Sequence, residues 1–234
     1  MCDQMAEYMS THELWRPFSF SGAEEEEESK EAHNEDLTLQ LRDHTERFVM
    51  SRLHAHAYKW CVKINEEEDA QLMARSKVIA SFLTPSSLEI PDSVNNDIMI
   101  ALARQELLKI NTVRTPGDKV TCIVNCVTVI FRTLGLAGAR RDGPKVGSSA
   151  DDFLPVFIWV LLHAQVPELC ANCAYIEMYH NPTHLRSKAG YALVNLQSAV
   201  GFIQTMEGKS LASASAGAVT ADDFDSKLAA ALRV

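Results

Sequence analysis

The stretch VTCIVNCVTVIFRTLG, residues 120–135, carries the clearest periodicity in this 234-residue sequence. Its apolar side chains recur at steps of three and four residues, at Val120, Ile123, Val124, Val127, Ile130, Phe131 and Leu134. That spacing puts them on one stripe of an α-helix, as in a helix that packs on a core. Gly135 follows the last of them, and glycine is common just after a helix C-terminus. The stretch therefore predicts a core helix that ends near Gly135.

Further helical segments are predicted on both sides of this stretch. Breaks at Thr115-Pro116-Gly117 and Asn181-Pro182 separate them, since proline and glycine interrupt helices. The apolar run at 151–162 fits a buried helix better than a strand because of its length and its flanking caps. Aromatic residues make up only 7% of the chain, and β-branched runs are few. The sequence thus predicts an all-α fold, with helices at about 95–110, 120–135, 151–162, 167–180 and 190–206.

Residues 37–94 are predicted to form a small helical bundle. Apolar residues recur at helical spacing in its first half, as at Leu53, Ala57, Trp60 and Ile64. The acidic run 66–69 is a candidate cap for a second helix at about 70–83. Two proline-containing breaks at 84–92 then separate the bundle from the rest of the chain.

The two ends of the chain are predicted to lie outside the folded part. Residues 1–36 hold eleven acids against two bases, which accounts for the whole formal net charge of −9. We interpret this segment as a disordered, solvated acidic leader. Residues 208–234 are predicted to be a flexible, Ala/Ser-rich tail with a short amphipathic helix at about 222–233. Because residues 37–234 carry 20 acids and 20 bases, we expect no nucleic-acid partner.

Several classes of protein are excluded by simple inspection. No stretch reaches the roughly 18 uninterrupted apolar residues that span a bilayer, and no basic-then-apolar signal opens the chain. We therefore expect no transmembrane segment and a cytoplasmic location, where the six cysteines are reduced thiols. No glycine-rich phosphate loop and no nucleophile with a companion base stand out, so neither a nucleotide-binding enzyme nor a hydrolase is predicted.

One group of two cysteines and two histidines has a spacing similar to that of a zinc site. Cys170-x-x-Cys173 is followed by His180 and His184, but six residues separate the two pairs, where a zinc finger needs about twelve. Cys173 also falls on an apolar helical stripe, where cysteine behaves as a small hydrophobe. We expect ordinary helix packing here, and we predict no metal and no cofactor.

Asp151-Asp152 form the first local anomaly, at the mouth of the apolar helix 151–162. Carboxylates there complement the positive end of the helix dipole, which contributes roughly 0.3–1 kcal/mol and keeps them ionised. Pro155 follows late in the first turn, where a proline can cost a backbone hydrogen bond and bend the start of the helix. Two interpretations stay open: the carboxylates cap the helix, or one of them is aimed outward at a partner.

The last helix is the second anomaly because it is apolar on two sides. One side carries the core stripe Leu193, Leu196, Val200 and Ile203. The opposite side carries Tyr191, Val194, Ser198 and Phe202. A helix of this kind is either buried all round or holds a partner on its second face.

Three ordered blocks of sequence resemble the Vps-nine domain family. The first is SADDFLPV at 149–156, and the second comprises Asn172, Tyr175-Ile176 and Asn181-Pro182. The third runs from Gly190-Tyr191 to the NLQSA of 195–199. Upstream, PGDK at 116–119 resembles the turn before the second helix of that domain. The similarity is closest over 95–207, and it extends weakly through 40–94.

The resemblance implies a layered helical exchange domain at 95–207, buttressed by the bundle at 37–94. It implies a guanine-nucleotide exchange factor without covalent chemistry, acting on a Rab GTPase of the Rab-five group at early endosomes. The GTPase is bound preferentially in its GDP-bound or nucleotide-free form. A non-catalytic module of the same fold, which binds a Rab GTPase without emptying it, is the alternative.

The resemblance also assigns roles to individual residues. Asp151 matches the inserted carboxylate of the family, an acidic finger, and Pro155 matches its helix-bending proline. Tyr191 matches the tyrosine that contacts the switch region of the GTPase. Val194 stands where the family usually has a hydroxyl residue, most often threonine. With Ser198 and Phe202, these residues make the expected GTPase-binding face.

Overall fold

The computed structural model describes residues 26–139, 150–207 and 220–231. Within these ranges the chain is helical and contains no strand, which confirms the all-α prediction. Seven α-helices follow one another there: α1 (Glu26–Phe82), α2 (Asp97–Leu108), α3 (Pro116–Ala139), α4 (Ala150–Ala164), α5 (Leu169–Tyr179), α6 (Lys188–Thr205) and α7 (Ala221–Ala231). Short 3₁₀ turns at Pro85–Leu88, Lys109–Asn111 and His184–Arg186 join some of them.

Helix α1 corrects the prediction of two helices before residue 84. It runs unbroken from Glu26 to Phe82, because no glycine or proline interrupts these 57 residues. The acidic run 66–69 therefore lies inside one helix. Asp69 does act as a cap, but for α5: its carboxylate accepts hydrogen bonds from the backbone N–H groups of Cys170 (2.7 Å) and Ala171 (3.1 Å).

The start of α1 also differs from the predicted organisation. Residues 26–36, assigned to a disordered leader, form its first turns. Residues 1–25 of that leader lie outside the described part of the chain. The predicted stripe also differs, since Leu53, Trp60 and Ile64 are exposed. α1 instead packs through a neighbouring face that carries Met50 and Cys61, mainly against α5.

Helix α3 lies at the centre of the fold, as the predicted stripe requires. Ile123, Val127 and Ile130 are buried, and α3 packs against α2, α4, α5 and α6. It does not end at Gly135, because Ala137 in the following turn is also buried and continues the packed face. The stretch Pro116–Gly138 is long and apolar enough to cross a membrane, but more than half of its apolar part is buried inside the fold.

Helices α4, α5 and α6 occupy the predicted segments. The run at 151–162 is a buried helix, with Phe153, Phe157 and Leu162 fully enclosed. The predicted short helix near the C-terminus is present as α7, whose Phe224 is buried under α1. The segment 208–219 of the predicted flexible tail lies outside the described residues.

Lys119 ties α1, α3 and α5 together from a buried position. Its ammonium donates to the backbone carbonyl of Ile110 (2.8 Å) and to Asn172 Oδ1 (2.7 Å). It also lies 4.5 Å from the centroid of the Tyr58 ring, a cation–π contact with α1. Burial lowers the pKa of Lys119 to about 8. The PGDK segment is therefore the first turn of α3 rather than a turn before it, and its lysine fastens α1 to the remaining helices.

Candidate functional site

The second face of α6 is exposed. Tyr191, Val194 and Phe202 are 44%, 60% and 40% exposed, and Ser198 is exposed beside them. On the opposite side Leu196 and Ile203 are buried in the core. Of the two interpretations of this helix, burial all round is therefore excluded. An apolar strip of this kind on a protein surface is typical of a binding site.

Tyr191 borders a groove between α3 and α6. The groove has a volume of about 390 Å³ and a mostly apolar lining: Val124, Val127, Thr128, Phe131, Arg132, Lys188, Tyr191 and Ala192. Val127 and Ala192 form its buried floor, while Arg132 and Lys188 are exposed at its rim. The arrangement suits an aromatic or aliphatic surface whose edge carries hydrogen-bond acceptors.

An aromatic cluster connects this groove to the start of α4. The rings of Phe131 and Phe153 stack at 4.7 Å between centroids, and Tyr191 lies 6.4 Å from Phe131 and 6.3 Å from Phe153. Phe153 is fully buried, so it fixes the first turn of α4 against α3 and α6. The helix end that carries the acidic pair is therefore held next to the exposed face of α6.

Asp151 is the second residue of α4, but its side chain lies outside the described part of the structure. Asp152 is half-buried. Pro155 lies inside α4, beyond its first turn, and is half-buried. Because proline has no N–H, Pro155 cannot donate to the carbonyl of Asp151, the partner it would have in a regular helix. This regular helical hydrogen bond is thus missing at the residue predicted to reach a partner.

Most of the α3 side of the groove was not predicted from the sequence. Phe131 and Val124 were assigned to the core stripe, whereas both are only partly buried and line the groove. Thr128 lies between them, one turn from each, and is exposed. The sequence did contain one signal that this edge of α3 faces a cleft. The polar Thr128 lies four residues after Val124 and three before Phe131, both of which belong to the apolar stripe.

The crevice between α3 and α6 continues toward α1 as a polar cavity. This cavity has a volume of about 370 Å³ and shares Val124 with the apolar groove. Glu46 of α1 enters it and accepts hydrogen bonds from His180 Nδ1 and from the Asn181 backbone N–H, both at 2.9 Å. Asp43, one turn earlier, accepts from His184 Nε2 at 2.6 Å. The α5–α6 connection is therefore held by α1.

The zinc-like spacing has a structural explanation. Cys170 and Cys173 are buried in α5, and burial raises the pKa of Cys173 to about 12, so it is a protonated thiol. His180 and His184 are bound to α1 carboxylates instead. No group of three or more candidate metal ligands is found among the described residues.

Comparison with known proteins adds a family assignment to this geometry. Residues 100–208 match the family model of the vacuolar sorting protein 9 (VPS9) domain. The match covers α2 through α6 except the first three residues of α2, and so includes the groove, the start of α4 and the exposed face of α6.

Individual relatives are longer than this chain. The chain is 34% identical over 172 residues to vacuolar protein sorting-associated protein 9A of Arabidopsis thaliana, covering 72% of this chain and 32% of the relative. It is 31% identical over 192 residues to the Rab5 GDP/GTP exchange factor of Homo sapiens, covering 79% of this chain and 36% of the relative. Receptor-mediated endocytosis protein 6 of Caenorhabditis elegans is 26% identical over 163 residues, covering 69% of this chain and 14% of the relative. The chain thus spans about a third of the first two.

Proposed function

Residues 100–208 belong to the VPS9 domain family, and on that premise we propose that this chain is a guanine-nucleotide exchange factor for a Rab GTPase. The substrate belongs to the Rab-five group, and the chain binds it preferentially when it carries GDP or no nucleotide. The activity uses no covalent step. The protein acts in the cytoplasm at early endosomes, in keeping with the name of one relative, receptor-mediated endocytosis protein 6.

The observation that carries this proposal is the exposed apolar face of α6 beside the start of α4. Tyr191 stands between the groove and the aromatic cluster that holds α4. A GTPase whose aromatic switch surface enters the groove would place its nucleotide site near the acidic pair at 151–152. Aromatic anchors commonly dominate such interfaces.

Exchange follows from differential binding. A partner that binds the empty GTPase more tightly than the GDP-bound form lowers GDP affinity by the same factor, because coupling between two binding sites is reciprocal. A 10⁴-fold acceleration of GDP release requires about 5.5 kcal/mol of transition-state stabilisation. The groove contacts of α6 and one charged group at the nucleotide site can together supply this stabilisation.

Asp151 supplies the charged group in this proposal. Its place in the first turn of α4 favours the ionised carboxylate through the helix dipole. The carboxylate pairs with the P-loop lysine that the β-phosphate leaves, and it competes for the Mg²⁺ site. Charged hydrogen bonds of this kind contribute roughly 1.5–3 kcal/mol each. An asparagine would keep the shape of the side chain and lose the charge.

Val194 favours a second candidate, a VPS9 domain that binds a Rab GTPase without releasing its nucleotide. Val194 is 60% exposed and presents no hydroxyl where the family usually has one. The neighbouring Ser198 hydroxyl donates to the Val194 carbonyl at 2.8 Å, so toward a partner it can only accept a hydrogen bond. One hydrogen bond to the GTPase is then absent.

Release of fluorescent GDP from a panel of purified Rab GTPases tests both candidates. An exchange factor accelerates release from members of the Rab-five group in proportion to its concentration. A passive binder forms a complex in a pull-down or by calorimetry but leaves the release rate unchanged. Failure to bind any panel member in any nucleotide state would overturn the proposal.

A further inference from the structure

The start of α6 is reached through a connection that depends on α1 for its shape. Between α5 and α6 the chain forms only the short 3₁₀ turn His184–Arg186. Ser187, the residue before α6, makes no side-chain capping hydrogen bond. The position of the first turn of α6, which carries Tyr191, is therefore set by packing from outside the helix.

Glu46 and Asp43 hold this connection at its start and at its middle. Glu46 is 8% exposed and uses both oxygens, one on His180 and one on the Asn181 backbone. Asp43 binds His184, and the two histidine rings stack at 5.6 Å between centroids. A carboxylate can only accept, so each histidine nitrogen donates. One turn of α1 thus holds the whole of 180–184.

The connection is in turn packed tightly against the residue before Tyr191. A Cβ on Gly190 would lie 1.7 Å from the carbonyl oxygen of Leu185, so the two backbones touch with no room for a side chain. The Tyr191 backbone N–H also donates to the Ser187 carbonyl at 3.1 Å. A displacement of the connection is therefore transmitted to Tyr191.

We propose that Glu46, assisted by Asp43, is a positioning residue for the GTPase-binding face. It acts from α1, outside the region that matches the VPS9 domain, by holding the α5–α6 connection that orients Tyr191. This inference rests on the proposed function, because it assigns Tyr191 to the GTPase contact. It makes the α1 segment part of the exchange machinery rather than a separate support.

A double-mutant cycle on the full chain tests the proposal. The measured quantity is the affinity for a nucleotide-free Rab-five-group GTPase, with fluorescent-GDP release alongside. Glu46→Ala should weaken binding roughly three- to thirtyfold, and it should weaken it little further in a Tyr191→Ala background. Glu46→Gln should retain most of the affinity, since its amide oxygen accepts from Asn181 and its amide nitrogen donates to neutral His180. Glu66→Ala, an exposed α1 substitution, is the matched control.

A second readout keeps the test independent of the GTPase. In a chain labelled with fluorotyrosine, the Tyr191 resonance should shift or broaden in Glu46→Ala and stay in place in Glu66→Ala. If Glu46→Ala does not fold, Asp43→Ala takes its place, because Asp43 is nearer the surface. Losses from Glu46→Ala and Tyr191→Ala that add in full, or an unmoved Tyr191 resonance, would overturn the proposal. A moved resonance without GTPase binding by the unmodified chain would overturn the proposed function alone.

Discussion

Truncation of Tyr191 to alanine separates an interface role from a packing role for the exposed face of α6. A fully buried aromatic truncated to alanine typically costs about 3–5 kcal/mol of stability. Tyr191 is 44% exposed, which leaves 100 − 44, or 56%, in contact with Phe131, Phe153 and their neighbours. Scaled to that fraction, Tyr191→Ala should cost about 2–3 kcal/mol of unfolding free energy. A domain with about 5–15 kcal/mol of stability then remains almost fully folded at 25 °C.

Tyr191→Ala should reduce GTPase binding strongly while leaving the folded fraction almost unchanged. An aromatic anchor at an interface contributes about 2 kcal/mol or more, so the affinity for the nucleotide-free GTPase should fall about thirtyfold. Calorimetric titration measures the affinity, and urea denaturation measures the stability. Leu196→Ala, on the buried side of the same helix, is the matched control. It should cost about 2–5 kcal/mol of stability and leave the affinity of the folded fraction nearly unchanged.

Val194→Thr completes this test. Val194 is 60% exposed, so a hydroxyl there stays solvated and stability should change by no more than about 0.5 kcal/mol. On the proposed interface the substitution restores the usual hydroxyl of the family, and exchange should hold or rise. If Val194→Thr destabilises the chain by roughly 1–3 kcal/mol, and Tyr191→Ala keeps its GTPase affinity, the face is part of the core and the site is misplaced.

Three further predictions concern the acidic pair, the leader and the buried thiols. Asp151→Asn should abolish most stimulated GDP release without altering the melting temperature, because it removes charge but keeps a capping side chain. Asp152→Asn should do much less, and equal losses from the two would show that the acidic finger is wrongly assigned. A chain that starts at Leu37 should exchange as the full chain does, since Asp43 and Glu46, the α1 carboxylates that hold the connection, lie after that residue. A folded but inactive truncation would contradict this. Stability should fall as the pH rises from about 10.5 to about 11.5. Burial raises the pKa of Cys126 and Cys173 to about 12, above the 9.0 of a free thiol. Their contribution is therefore complete below pH 9 and is lost above it, by about 1.4 kcal/mol per thiol and pH unit. Lys119 acts in the opposite direction between pH 8 and 10.5, since its pKa of about 8 lies below its ordinary value of 10.5, and above that range it no longer offsets the thiols. Urea denaturation at both pH values that showed rising stability would mean that the thiols are not protected.

The helices that local periodicity describes were predicted close to where the structure has them. The stripe from Val120 to Leu134 predicted α3, and the apolar run after Asp151 predicted α4, because each pattern extends over several helical turns. The two-sided pattern of α6 also separated its buried face from its exposed one. Each of these features depends on residues within one helix.

The errors arose where a residue acts on a distant element. Asp69 was predicted to cap a helix in its own segment of the chain. Its partners Cys170 and Ala171 instead lie about a hundred residues away in sequence. Trp60 belongs to a regular stripe, but which face of α1 is covered depends on where α5 packs. The groove could not be predicted for the same reason. Phe131 and Tyr191 come from two different helices, and the periodicity of either sequence does not determine how those helices cross. Glu46 carried no local signal at all.

The capping of α5 by Asp69 has a consequence for how this protein can be dissected. Residues 100–208 would be a natural choice for an expression fragment, since they coincide with the family match. In such a fragment the first two amide groups of α5 that Asp69 caps would have no partner. The side of the Lys119 ammonium that the Tyr58 ring covers would be exposed to water. Its free energy of unfolding would then be smaller than that of the longer chain. The boundary of the family match and the boundary of the folding unit are different here, and a graft of this domain onto another protein must bring α1 with it.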